Sequence, residues 1–366
     1  MSVRPNTAIS SRDRIQTVLR GEEPDRLPVW IKTPPQWPAH RPRTLRGASY
    51  LEIQRALGCD PVLMTGSRVV AAHQPGVTRE VFERGDERIT RVSTPDGPLV
   101  GKEGGVRDGR LHPTRHMVHS AETLRRLRWL YTKTDHTLDP EAKDESRYWR
   151  ASREAEDVFL CLGHVTSPLM MMVEFLAGPV NTVFLLQDEP ELFRETMEIL
   201  REDRIHYLRS ILPHVHTDMF KLAEDTSTNV ISPSMFGEFC VPVLREYAEV
   251  VMEHGMIPVH HMCGLIGDLL EMIDGLPAPV NEAFTTRPLG DVSLAEGRTR
   301  MPSKVLLGGT NATLWLGPPE EIVDTVRQDL ERCPDHRKIF LTSGGALPPD
   351  VPFEKASEVV AAFQQL

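Results

Sequence analysis

The sequence predicts an α/β protein folded as a closed (β/α)8 barrel with an inserted antiparallel meander. Three observations carry that expectation. Short apolar runs alternate with helical patterns along most of the 366 residues. Counting two runs near the start, eight strand candidates are present, the number that closes a parallel barrel. No Gly-x-Gly-x-x-Gly follows any of them, so the fingerprint of an open dinucleotide-binding sheet is missing. We therefore expect one barrel domain over residues 1–366, with an N-terminal helical segment over 1–26 and an insertion over 66–115.

The elements follow in order. Ser11 to Leu19 reads as a helix, with Ile15, Val18 and Leu19 on one face and Ser10 or Ser11 as cap. Gly21 and Pro24 close it off. Leu27 to Ile31 reads as a short strand, Tyr50 to Leu57 as a helix and Pro61 to Thr65 as a second strand. Polar and apolar residues then alternate in Arg79–Arg84 and Arg88–Ser93, punctuated by turns at Gly85-Asp86 and Pro95-Asp96-Gly97. Helices return at Ala121 to Leu130 and Glu141 to Glu156. The later strand candidates are Val158–Leu162, His216–Leu222, Ile257–His261, Val280–Phe284, Lys304–Leu307 and Ile339–Thr342. Helical patterns separate them at Pro190–Leu212, Pro233–Glu253, Gly264–Ile273, Ser293–Arg298, Pro319–Arg332 and Phe353–Phe363.

Bulk properties exclude several function classes. A net charge of −10 without a long basic run argues against nucleic acid as partner. No apolar stretch approaches the roughly 20 residues that span a bilayer, so no membrane association is expected. Met1 to Arg14 has no apolar segment of signal-peptide type, and a cytoplasmic location is the default expectation. Five widely spaced cysteines do not read as a disulfide framework. Cys161, inside an apolar run, reads as a small buried hydrophobe.

In a barrel, the residues just past each strand build the site. Here those positions hold Trp30 and Lys32, His164, Glu224 and Asp225, His261 and Cys263, Glu282, Asn311 and Ser343. Taken singly, each has an ordinary structural role open to it: Glu224 and Asp225 could cap a helix, His164 could be a core histidine and Asn311 could close a turn. Together they converge acids, imidazoles and a thiol on one mouth with few basic groups, an imbalance that a divalent cation would resolve. His261 and Cys263, two apart in an extended segment, point to the same side. Imidazole plus thiolate suits zinc, which needs three or four ligands. Glu224 is the expected third ligand and Glu282 the alternative; His260 should turn away into the strand–helix packing. Without metal, Cys263 would simply pack and His261 would bind substrate directly.

On these residues the chain resembles the uroporphyrinogen decarboxylase superfamily over nearly its whole length. The resemblance rests on Arg12-Asp13-Arg14, Pro24-Asp25-Arg26-Leu27-Pro28-Val29-Trp30, Gly163-His164-Val165-Thr166-Ser167-Pro168 and Ile231-Ser232-Pro233-Ser234-Met235-Phe236. It continues through His261-Met262-Cys263-Gly264, Pro288-Leu289-Gly290-Asp291, Leu307-Gly308-Gly309-Thr310-Asn311 and Thr342-Ser343-Gly344-Gly345-Ala346-Leu347-Pro348-Pro349. It implies the barrel fold, and it implies either a porphyrinogen decarboxylase or a zinc methyltransferase that exchanges methyl groups with corrinoid proteins.

The decarboxylase's arginine-rich segment is replaced here by Ile31-Lys32-Thr33-Pro34-Pro35-Gln36-Trp37, and no aspartate follows the second strand in Thr65-Gly66-Ser67-Arg68. Thiol-methylating members carry a further cysteine in Ser-Gly-Cys near the last strand, where this chain has Ser343-Gly344-Gly345. A harder donor set shifts the expectation to O-demethylation: a methyl group passes from a methoxylated, aromatic small molecule to a Co(I) corrinoid protein. His164, Asp225 or Glu282 would supply a proton. Trp30, Lys32 and Asn311 are the substrate-binding candidates, and Trp30, Trp37, Met170 and Met171 could line an apolar pocket. The chain contains no Asp-x-His-x-x-Gly, so the corrinoid would arrive on a partner protein. Decarboxylation, methylcorrinoid:thiol or amine transfer, a non-catalytic binding barrel and a homodimer are left open.

Overall fold

Eight parallel strands in this computed structural model form the barrel: β1 (Val29–Trp30), β2 (Val62–Thr65), β3 (Phe159–Thr166), β4 (Met219–Ala223), β5 (Ile257–His261), β6 (Val280–Phe284), β7 (Val305–Gly308) and β8 (Ile339–Thr342). The structure describes residues 9–33, 37, 42–65, 70–107, 110–139 and 156–366, without the side chains of 106, 107, 110 and 164. The pairing order β1-β8-β7-β6-β5-β4-β3-β2 leaves β1 and β2 at the two ends of the sheet. Asp60 joins them: its amide donates to the Val29 carbonyl at 2.7 Å, and its carboxylate accepts the Val29 amide at 3.0 Å. That carboxylate is fully buried and is held by Arg14 and Arg26 at 2.6 and 2.7 Å, so its charge is compensated.

Alternation along the strands sends Trp30, Val62, Phe159, Cys161, Met219, Val259, Val280, Val305, Leu307 and Phe340 inward as one apolar cluster. Ile15 and Val18 of the Ser11–Leu19 helix pack into it. Arg12 of that helix pairs with Asp218, just before β4, which lays the helix across the N-terminal end of the barrel. The opposite end is left for the site.

The expected meander is a four-stranded antiparallel sheet, Arg79–Arg84, Glu87–Val92, Leu99–Arg107 and Arg110–Arg115, paired in chain order. A further pair, Val70–His73 with Asp135–Leu138, reaches past residue 115 and was not foreseen, because its strands are only four residues each. The helix expected at Glu141–Glu156 lies, apart from Glu156, outside the described residues. A helical stretch missing from the sequence reading follows β3: Pro168–Met171, a π-turn at Met172–Leu176, then Gly178–Asp188. Pro168 to Val173 are all buried, so this stretch shows no polar face and no 3.6-residue period. β4 starts three residues later than the His216 expected for it. Among the described residues no helix is long and apolar enough to cross a membrane.

Candidate active site

Two bulges shape the mouth. In β3 the register slips between the partners of Phe220 and Leu222. Gly163 sits there at φ +104°, and a Cβ on it would lie 2.8 Å from the Phe220 ring. His164 follows in the same bulge; its side chain lies outside the described residues. In β6 the register slips between Glu282 and Phe284, and Ala283 takes φ +62°, a conformation costly for a residue with a Cβ. The strained residue immediately follows Glu282.

Beyond the tips of β4 and β5, Asp225, His261 and Cys263 bring an oxygen, a nitrogen and a sulfur within 4.8 Å of one another. The His261 Nε2 stands 3.2 Å from the Asp225 Oδ1, and the Cys263 Sγ donates to that oxygen at 3.3 Å. Zinc with bonds of about 2.0–2.3 Å in a tetrahedral site separates its ligand atoms by roughly 3.3–3.7 Å, so this spacing fits the ion. Glu224, the third ligand expected from the sequence, is fully buried, its Oε1 accepts the Ser167 amide at 2.6 Å, and it stands outside this group, in which Asp225 is the carboxylate.

Glu282 is held from two sides. The His261 Nδ1–H and the Lys32 ammonium both donate to its carboxylate. Burial opposes its charge, but Lys32, His261 and Lys221 hold its carboxyl well below the usual range. Glu282, expected from the sequence as a proton donor, here accepts from both neighbours. For His261, burial lowers the pKa, but Glu282, Asp225 and Cys263 together raise it to about 11. The carboxylate–imidazole pair orients the ring and leaves Nε2 for the group with Asp225 and Cys263.

Negative charge is crowded on the other side. Burial and the charge of Asp225 push Glu174, on the π-turn after β3, up to about 7. Burial pushes Glu224 up to about 8, opposed by Ser167 and reinforced by Glu174 and Asp225. The Glu224 Oε2 is buried without a hydrogen-bond partner. Two carboxyls raised chiefly by burial thus stand near the N/O/S group, and a divalent cation bound there would favour their charged forms.

The mouth opens onto a cavity of about 460 Å³ lined by Trp30, Lys32, Tyr50, Met64, Lys221, His261, Glu282 and Gly345 among others. The Trp30 indole donates to the Tyr50 hydroxyl at 2.6 Å, and the Lys32 ammonium stands 5.5 Å from the Trp30 ring centroid. Trp30 and Lys32 are thus placed at the cavity as expected. Asn311 is not: its side chain donates to the Arg287 carbonyl at 2.8 Å and accepts the Leu314 amide at 2.9 Å, holding a turn. Trp37, Met170 and Met171 belong to the core outside the barrel. Ser343 accepts the Lys32 amide at 3.1 Å and donates to the Gly345 carbonyl at 2.7 Å, which fixes the β1 and β8 tips together. Sequence reasoning missed Glu174 and Lys221. The helix carrying Glu174 had no readable period, but Lys221 stood in plain alternation with Met219 and could have been found.

The comparisons agree with this fold. The family model described as Uroporphyrinogen decarboxylase (URO-D) matches residues 147–366. No curated protein matches the sequence. Among solved structures, a methyltransferase from Methanosarcina mazei superposes with a TM-score of 0.61 at 17% identity, covering 98% of this chain and 99% of that one. A B12-independent methionine synthase from Shewanella sp. W3-18-1 reaches a TM-score of 0.42 at 12% identity over 86% of this chain and 84% of that one, too loose a likeness to build on. With the family model matching more than half of the sequence, the chain belongs to the uroporphyrinogen decarboxylase family.

Proposed function

We propose that the protein is a zinc-dependent methyltransferase that moves a methyl group from a small methoxylated aromatic compound to the Co(I) centre of a corrinoid held by a partner protein. One observation carries the reading: the Asp225, His261 and Cys263 donor atoms are spaced for a zinc ion beside a cavity that His261 lines. The solved methyltransferase of the same fold is in keeping with it.

Asp225, His261 and Cys263 would hold the ion, leaving a position for substrate. Bound there, zinc supplies Lewis acidity towards an ether oxygen, which is otherwise a poor leaving group. Trp30 offers an apolar face to the ring. Lys32 and Glu282 fix His261, so the donor atoms need not reorganise as charge develops. The methyl carbon leaves the oxygen for the acceptor and the electron pair stays behind. Glu174, coupled electrostatically to Asp225 and His261, would hand that oxygen a proton.

Phe175, next to Glu174, and Val180, Val183 and Phe184 on the helix that follows are exposed, with 55, 65, 37 and 56% of their surface open. The last three share one helix face by their spacing. We assign this face to the corrinoid carrier, which must come close to the mouth. Among the described residues no arginine lines the cavity, which speaks against decarboxylation of a polycarboxylated tetrapyrrole.

The test mixes zinc-loaded protein with a reduced corrinoid protein and a panel of methyl ethers, methylamines and methyl thiols. We expect cobalt methylation, followed by absorbance, with methoxyarenes. Methylation by amines or thiols alone would overturn the ether assignment. No methylation, with decarboxylation of uroporphyrinogen instead, would overturn the methyltransferase reading.

A further inference from the structure

The four-stranded meander has two edges that differ in kind. Arg110–Arg115 carries Pro113, and its register slips twice against Leu99–Arg107, so that edge is irregular and lacks an amide. Arg79–Arg84 pairs with Glu87–Val92 without a slip and contains no proline. Among the described residues no strand covers its outer side, and all of its residues are exposed. Val81 and Phe82 keep 57 and 46% of their surface open.

A regular edge strand turns the amides and carbonyls of alternate residues outward. Both ends of this hairpin fix which residues those are. The Ser93 amide donates to the Thr78 carbonyl at 2.9 Å, and the turn Gly85-Asp86 closes on the pair Arg84 and Glu87. Thr78, Glu80, Phe82 and Arg84 therefore bond inward, and Arg79, Val81 and Glu83 turn their backbone groups out. An antiparallel partner must match outward residues with outward residues. A second copy related by a two-fold axis at Val81 does so along the whole strand. Val81 then faces its own counterpart, and Arg79 of each copy faces Glu83 of the other. Arg88 already stands opposite Glu83 within the chain, so charges alternate in sign across the junction. The order Arg-Glu-Val-Phe-Glu-Arg would set like charges opposite each other one residue over, but that register matches outward with inward groups. Moving the axis to Phe82 puts Arg79 opposite Gly85 in the turn and shortens the ladder.

We propose that Arg79–Arg84 is the docking edge for a second copy of this chain, which joins the two meanders into one continuous antiparallel sheet about an axis at Val81. The contact is isologous, so each edge is used up once it forms, and the Pro113 edge is unsuited to further pairing. The assembly therefore closes at two copies. The proposal stands apart from the methyl-transfer reading, because none of the strand's residues lines the cavity.

The test is sedimentation equilibrium of the full chain. One strand pair is a small interface, so we expect a monomer–dimer equilibrium with a dissociation constant on the order of 10–100 μM, weakening as salt rises. Val81→Pro removes an outward amide and leaves the inward ladder intact; it should weaken the dimer about 10-fold or more. Arg79→Glu alone and Glu83→Arg alone each set like charges opposite each other at both contacts, and each should stay monomeric. Mixed in equal amounts, the two variants again bring opposite charges together at both contacts and should form a heterodimer. Unchanged circular dichroism shows that all three variants fold. A parent protein that stays monomeric, or that grows beyond two copies, would overturn the proposal. So would a dimer that Val81→Pro and Arg79→Glu leave unaltered, or a mixture of the two charge variants that stays monomeric.

Discussion

Glu282 accepts the Nδ1–H of His261, so the imidazole presents Nε2 to Asp225 and Cys263. The relation comes from register: His261 on β5 stands directly beside Glu282 on β6. Carboxylates behind a metal-binding histidine fix its tautomer and raise its basicity, and losing one typically costs about 10–100-fold in metal affinity. Glu282→Gln should therefore weaken zinc binding by about that factor in a chelator competition. An unchanged affinity would show that the pair does not prepare the ligand.

The identity of the carboxylate ligand is separately testable. Asp225→Ala and Cys263→Ala should each leave the purified protein with little zinc by elemental analysis, while circular dichroism shows the barrel intact, because both residues sit at the rim. Glu224→Gln should retain the ion. Its carboxyl, pushed up to about 8, is already largely neutral at pH 7, and a Gln carbonyl can still accept the Ser167 amide. Full zinc in Asp225→Ala with loss in Glu224→Gln would reverse the assignment.

Much of this was legible in the sequence, for reasons that particular residues show. The strands could be read because they are short apolar runs set between helical patterns, as Ile339–Thr342 is between Pro319–Leu330 and Phe353–Phe363. The His261–Cys263 pair could be read because strand spacing alone puts both on one side. The choice between Glu224 and Asp225 could not. They are adjacent at the end of β4, and which one faces the mouth depends on where the strand's pleat gives way to a turn. Glu282 was named, but its role was not, since that depends on Lys32 reaching across from β1, a contact 250 residues apart in the chain.

A pH dependence follows from Lys304, just before β7, which is 2% exposed and donates to the Leu276 carbonyl. Burial lowers its pKa from 10.5 to about 8, against the pull of Asp274. The unfolded chain keeps that proton up to about 10.5 and the folded chain only up to about 8. Stability should therefore rise with pH between those values and carry a constant penalty below them. Lys304→Met removes the charge and one hydrogen bond. We expect a net gain of about 1–2 kcal/mol at pH 7, vanishing above pH 10.5. Chemical denaturation at pH 7 and pH 10 decides it: equal or lower stability of the variant at pH 7 would sink the prediction.

The exposed face of Val180, Val183 and Phe184 makes a kinetic prediction. Phe184→Glu should raise the KM for the corrinoid carrier several-fold while leaving small-molecule binding by calorimetry unchanged, since Phe184 is 56% exposed and does not line the cavity. An unaltered KM for the carrier would move the docking face elsewhere on the mouth.

Gly345 offers the sharpest test of the proposed preference for an oxygen leaving group. It lines the cavity with His261 and Glu282, and a Cβ placed on it would meet nothing within 4 Å. Its neighbour Gly344 needs φ +71°, but Gly345 does not take a positive φ, so a side chain there brings no backbone strain. Gly345→Cys should fold with stability within about 0.5 kcal/mol of the parent. The added thiolate should hold zinc more tightly in a chelator competition and soften the ion, so that transfer from a methoxyarene slows relative to transfer involving a thiol. Unchanged zinc affinity in a folded Gly345→Cys protein would mean that residue 345 does not reach the ion, and the preference for oxygen would then have to come from Asp225 alone.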